Sequence, residues 1–168
     1  MKLTVTRFDH GKYETVITRD DGVSYRLKGV AHMFAIPHDL AHFLVEKTLH
    51  LDRGFFGSIA GGAVFKTMDY IGGRRKPKAA ERSEKLLKDN AAPLNEAEVL
   101  VRIFNDTIEQ GRAETSPLLR ERLRARLARP GLQRSFSDAE ISQVYAAYQD
   151  MLTKWQKLPV GGTLELRW

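Results

Sequence analysis

The chain contains no cysteine. That excludes disulfides, thiolate nucleophiles and cysteine-ligated metal centres, so any metal has to be held by histidine or carboxylate. Lack of disulfides fits a cytoplasmic protein. Long apolar runs are missing as well. The longest, Gly54 to Phe65, is broken by Ser58 and four glycines, and a membrane span needs about 20 apolar residues. The start, Met1-Lys2-Leu3-Thr4-Val5-Thr6, alternates and lacks the continuous apolar core of a signal peptide. No Walker or dinucleotide-binding glycine loop occurs, and no recognised nucleic-acid motif. Histidine is scarce at five residues, which makes its distribution informative.

What is present is ordinary globular material. Of 168 residues, 42% are hydrophobic and 29% charged. That suits one domain with a sizeable core and is too short for two. Net charge is +6, with 27 basic residues interspersed among 21 acidic ones. This balance permits weak attraction to polyanions and no more.

The pattern along the chain predicts an α+β fold over residues 1–168. Lys2 to Phe8 alternates loosely, Tyr13 to Thr18 is rich in β-branched residues, and Val23 to Lys28 alternates after the turn signal Asp21-Gly22. An antiparallel meander follows. Helical patterns then take over. The first runs from Pro37 to about His50, with proline in the first turn where its missing N–H costs nothing. A second, small-residue helix is expected through Tyr70, with Gly57 and Gly61 on one face for close packing. A basic loop at 72–79 precedes a helix around Ala80 to Lys88. A fourth helix begins after Pro93, and a fifth starts at Ser116-Pro117 and ends before Pro130-Gly131. Ser137-Asp138-Ala139-Glu140 is a capping box that opens a sixth. The last residues, Thr163 to Trp168, alternate again. A lone strand cannot satisfy its own backbone, so this one should return to the amino-terminal sheet. The expectation is a small antiparallel sheet, three amino-terminal strands plus a returning carboxy-terminal one, packed with about six helices.

The first helix carries the candidate site. Pro37 to His50 holds three of the five histidines, with Asp39 and Glu46 between them. At roughly 100° per residue, with His38 at zero, His42 falls near 40°, Glu46 near 80°, Asp39 near 100° and His50 near 120°. Leu40, Leu44 and Leu51 take the opposite side, and Leu49 alone falls among the histidines. Residues four apart share a face about 5–6 Å apart, so His38 and His42 can chelate one ion. Glu46 lies about 9 Å along the axis from their midpoint. A site on this pair therefore needs a third ligand from elsewhere, His32 or a distant carboxylate. His-Asp-x-x-His is similar in spacing to the zincin motif, with Asp39 in the place of its glutamate base and shorter by one methylene. The downstream third histidine of metzincins is missing. Three uses of the stripe stand side by side. In the first, His38 and His42 bind zinc or another divalent metal, with Asp39 and Glu46 as catalytic carboxylates. In the second, a metal-free His–Asp pair transfers protons. In the third the stripe is structural: Asp39 caps the helix start, the histidines bond to backbone or tyrosine hydroxyls, and Glu46 pairs with an arginine.

The block Ile36-Pro37-His38-Asp39-Leu40-Ala41-His42-Phe43-Leu44-Val45-Glu46, continued by Gly54-Phe55-Phe56-Gly57-Ser58-Ile59-Ala60-Gly61-Gly62-Ala63-Val64-Phe65, resembles a group of small uncharacterised bacterial proteins. The resemblance implies a bacterial origin and brings no activity with it.

Basic residues gather in two other places. Arg74, Arg75, Lys76 and Lys78 form one cluster. Residues 112–134 hold Arg112, Arg120, Arg122, Arg124, Arg126, Arg129 and Arg134. On the fifth helix Leu119, Leu123 and Leu127 form the buried stripe, with Arg120 and Arg124 on one flank. Such arginines either snorkel over a solvated face or bind phosphate. No aromatic residue is interleaved, which weakens a base-stacking reading. Two functions follow: a small metal-binding protein or metal-assisted hydrolase using His38 and His42, or a non-enzymatic module whose basic surface (Arg74, Arg75, Lys76, Arg120, Arg124) meets nucleic acid or an acidic protein.

Overall fold

The computed structural model describes residues 1–31, 35–111, 116–128, 132 and 135–168. Five strands form one antiparallel sheet: β1 (Lys2–Arg7), β2 (Lys12–Thr18), β3 (Ser24–Val30), β4 (Asp69–Gly72) and β5 (Thr163–Arg167). Their spatial order is β4-β3-β2-β1-β5. Six helices accompany them among the described residues: α1 (His38–Thr48), α2 (Phe55–Ala60), α3 (Ala79–Asp89), α4 (Ala91–Gln110), α5 (Ser116–Leu127) and α6 (Asp138–Lys157).

The period-two pattern decides the faces. Leu3 pairs with Ile17 and Leu166, and Val5 with Thr15 and Leu164. Ile17 stands opposite Tyr25, and Thr15 opposite Leu27. All these residues point to the helical side, and Leu3, Val5, Thr15, Ile17, Tyr25 and Leu27 are buried. The intervening Lys2, Thr4, Glu14, Arg26 and Lys28 take the other face. Tyr13 stands opposite Gly29, where a Cβ would lie 2.2 Å from the tyrosine ring. Only glycine lets that ring lie flat across β3.

α1 is the central helix, packed against α2, α4 and α6. Its Leu40, Ala41, Phe43, Leu44 and Val45 are buried in the core. The chain ends are tied to one another as expected. β5 closes on β1, and Arg7 donates to the Trp155 and Leu158 carbonyls at 3.0 and 2.8 Å, where α6 has run out of partners. The capping box is formed: Glu140 N–H donates to Ser137 Oγ at 3.2 Å and Ser137 N–H to Glu140 Oε2 at 2.8 Å.

Three expectations about boundaries are corrected. The second helix does not reach Tyr70. It stops at Ala60, because Gly62 at φ +111 turns the chain. Asp69–Gly72 then forms a fifth strand beside β3. α1 stops at Thr48, and His50 lies beyond it, exposed, at φ 54. The angle assigned to His50 on an ideal helix therefore does not apply. Leu49 instead leaves the helix to become a core residue, 2% exposed. Pro93 sits inside the first turn of α4, where its missing N–H is harmless. Of the two small-residue positions, Gly61 faces Leu86 of α3 as a helix contact, whereas Gly57 abuts the Asp52 carbonyl of its own loop. Pro130-Gly131 lies outside the described residues. Among the described residues, no helix is long and apolar enough to cross a membrane.

Candidate metal centre

Pro37 precedes α1 with ψ 141, a conformation the helix cannot continue, so His38 opens the helix and Asp39 and His42 follow in its first turns. His38 and His42 come together as their spacing requires, with Nε2 atoms 3.1 Å apart and rings at 87°. The third group is Glu98, from α4. Its Oε2 lies 3.0 Å from His42 Nε2 and 3.6 Å from His38 Nε2. These are the ligand atoms that could hold a metal ion among the described residues. A point equidistant from three atoms so spaced lies about 1.9 Å from each in their plane, and moving it about 0.8 Å out of the plane reaches about 2.0–2.1 Å, the zinc–nitrogen distance. Two histidine nitrogens and one carboxylate oxygen so placed could hold an ion.

Behind this triad stands Glu46. It is fully buried at 0% exposure. Oε1 accepts from Phe55 N–H at 2.9 Å, Oε2 from Phe56 N–H at 2.9 Å, and Oε1 again from His42 Nδ1 at 2.8 Å. One carboxylate thus caps α2 and holds the Nδ1 edge of His42, so that Nε2 is the nitrogen turned toward Glu98. A carboxylate on the distal nitrogen is the usual support of a metal-binding histidine. Gly54 makes room for it, since a Cβ there would fall 2.6 Å from the Glu46 carboxylate. With no ion present, burial disfavours the His42 cation, yet the bonds to Glu46 and Glu98 prevail and raise its pKa to about 9. Bonds from His38 and His42 hold the Glu98 carboxyl well below the usual carboxylate range.

Asp39 does not cap the helix. It turns to the sheet, where Thr15 Oγ1 donates to its Oδ2 at 3.0 Å and the Tyr13 hydroxyl also bonds to it. Burial pushes its carboxyl up, against the Thr15 bond and the charges of His38 and His42. Burial and the neighbouring Asp39 likewise push the Tyr13 hydroxyl up. A cavity of about 380 Å³ opens over these groups. Its walls carry His38, Asp39, His42 and Glu98 together with Leu27, Lys28, Phe55, Phe65, Thr67 and Leu94. Glu46 is not among its walls.

Glu98 was invisible in the sequence. It lies 56 residues from His42, in the run Asn95-Glu96-Ala97-Glu98. Nothing there separates Glu98 from Glu96. The His38–His42 pair needs a third group from elsewhere, and the packing of α1 on α4 brings Glu98 to it. His32 lies outside the described residues.

The two basic segments stand on different elements. Arg74, Arg75 and Lys76 lie between β4 and α3, and Arg75 stacks on Tyr70 at 3.9 Å. Arg120 and Arg124 lie on α5, whose Leu119, Leu123 and Leu127 are buried as expected. Arg124 is paired with Asp138 at 2.7 Å, and Arg126 donates to Thr107 at 2.8 Å. Arg112, Arg129 and Arg134 lie outside the described residues.

Comparison of the chain with protein-family models, with curated proteins and with solved structures finds no match. The chemistry rests on the side chains themselves.

Proposed function

We propose that this protein binds one divalent transition-metal ion, zinc foremost, through His38, His42 and Glu98, and uses it for metal-assisted hydrolysis in the cavity above. The observation that carries this is the convergence of the three ligand atoms within 3.6 Å, backed by Glu46 on the far nitrogen of His42. A mixed nitrogen and carboxylate set suits zinc, and two histidines with one glutamate is a known catalytic zinc set. Such an ion supplies Lewis acidity and an activated water. The chain's own residues supply the rest. Asp39, buried and shifted upward, is the proton-transfer group on the cavity wall. Leu27, Phe55, Phe65 and Leu94 exclude water from the reacting centre and favour a substrate with an apolar body.

The test is metal analysis of protein purified without added metal, paired with melting curves with and without a chelator. An ion bound only by the folded state raises the melting temperature, and its removal lowers it. About one ion per chain and a chelator-sensitive melting curve are expected. Protein free of zinc, manganese, iron and nickel whose melting curve ignores all four added ions would overturn the metal reading. A loaded protein without esterase, amidase or phosphoesterase activity on small substrates would overturn the hydrolase part alone.

A further inference from the structure

A second group of basic side chains lies away from the histidines, where the loop after β4 meets α3. Arg19 follows β2 and is 8% exposed. Its Nε and Nη2 donate to the two oxygens of Asp21 at 3.1 and 2.9 Å. Its Nη1 is buried and has no partner among the described residues. A guanidinium stays charged at any ordinary pH, so a buried N–H without an acceptor marks a place where an acceptor is wanted. Space for one exists. Apart from its two chain neighbours, the one atom of the described residues within 4 Å of a Cβ built on Gly62 is this Nη1, at 3.9 Å. The missing side chain therefore leaves the flank of Nη1 open. A cavity of about 140 Å³ forms there between Arg19, Asp21, Gly62, Lys76, Ala79 and Arg82.

The start of α3 borders the same cavity. Among the described residues no side chain caps this helix of 11 residues. Ala79 N–H donates to the Lys76 carbonyl at 3.2 Å, and Arg82 N–H to the Lys78 carbonyl at 3.1 Å. The N–H groups of Ala80 and Glu81 have no acceptor among these backbone bonds, and the positive start of the helix meets the cavity at Ala79 and Arg82. Three cations surround the cavity against one carboxylate. That carboxylate, Asp21, is already engaged: burial pushes it up, but bonds from Arg19 and the Val23 N–H, with the charge of Lys76, hold it below its ordinary value.

We propose that this cavity binds a phosphate group, free or as a monoester, with Arg19, Lys76, Arg82 and the start of α3 as its donors. The fork of Arg19 holds the orienting carboxylate with two donors and keeps the third for the anion. Lys76 and Arg82 are exposed and reach in from the loop and the first turn of α3. A second cavity, of about 500 Å³, adjoins this one and shares Arg19, Gly62 and Ala79 with it. Its walls include Tyr25, Phe65, Met68 and Leu87, with Lys66, Arg75 and Glu84 among them, a mixed lining that offers apolar surface to the body of a monoester. This site uses none of the proposed metal ligands, so it stands or falls independently of them.

The experiment titrates the full chain with sodium phosphate and with phenyl phosphate, read by calorimetry and by melting temperature, against sodium chloride of equal ionic strength. Both phosphates should bind and stabilise where chloride does not. Lys76→Ala and Arg82→Ala should each weaken binding about tenfold, as loss of a charge-assisted bond does. Lys85→Ala, further along the exposed face of α3, should leave it unchanged, and so should treating the protein with a chelator beforehand. Tighter binding of phenyl phosphate assigns the site to a monoester, and equal binding assigns it to the free anion. The proposal is overturned if neither phosphate acts beyond ionic strength. It is equally overturned if Lys85→Ala weakens binding as much as the two cavity variants, or if a chelator abolishes it.

Discussion

Replacing Glu46 by glutamine isolates the part of the centre that shapes the rest. The carboxylate accepts three hydrogen bonds from buried donors, two on Oε1 and one on Oε2. Glutamine has the same shape and one acceptor oxygen. If its NH₂ replaces Oε2, Phe56 N–H faces a donor; if it replaces Oε1, Phe55 N–H and His42 Nδ1 both do. At least one buried donor is orphaned, which costs about 1–3 kcal/mol. For a chain of this size that is a fall of about 2–12 °C in melting temperature. The second consequence is on the metal. His42 loses the group that holds its Nδ1 edge, and loss of such a supporting carboxylate costs about 10–100-fold in metal affinity. Melting curves of the metal-free variant and competition with a chromophoric chelator read the two effects separately. A purely structural Glu46 would lower stability and leave the intrinsic metal affinity of the folded protein alone. An unchanged zinc affinity in the folded Glu46→Gln variant would refute its positioning role.

Glu98→Ala should abolish the metal-induced rise in melting temperature with little loss of metal-free stability, because the side chain is 44% exposed; His50→Ala should change neither, and a metal response lost with His50 would move the site. In the metal-free protein the raised His42 pKa adds stability that is full below about 6.5 and lost as pH rises through about 9, so the melting temperature should decline across that window, and His42→Ala should flatten the decline. Deleting residues 161–168 removes β5 and uncovers the β1 edge and the core contacts of Leu164, Leu166 and Trp168; a sharply lower melting temperature or insoluble protein is expected, and an unchanged melting curve contradicts the strand's role. Duplex DNA should bind weakly, lose affinity steeply between low and physiological salt, and bind still less after Arg74, Arg75 and Lys76 are changed to Ala; no binding at low salt ends the polyanion reading.

What the sequence determined by itself is what local periodicity and short-range chemistry can specify. Alternation in Leu3, Val5, Tyr13, Ile17, Tyr25 and Leu27 set the buried face of the sheet, because successive strand side chains point opposite ways. Ser137 and Glu140 announced α6, since a capping box is closed within four residues. The His38–His42 pair met because residues four apart on a helix always do. Even the return of β5 was legible, since an isolated strand cannot leave its backbone unpaired. What failed lay where the chain departs from a period. Tyr70 leaves the helical pattern because Gly62 turns the chain and Asp69–Gly72 adds an edge to the sheet, and nothing local says so. His50 leaves the stripe because α1 ends at Thr48.

The roles of the carboxylates were a matter for tertiary structure alone. Asp39 and Glu46 read as equals on the stripe. One is drawn to the sheet by Thr15 and Tyr13, and the other is buried behind His42 by the backbone of α2. Glu98 rather than Glu96 meets the two histidines because of how α4 packs on α1. A carboxylate brought to His42 from 56 residues away depends on how two helices pack. No spacing rule within one segment reaches that far, because side-chain packing across the core, and not the repeat of either helix, decides which of two neighbouring glutamates faces the histidines.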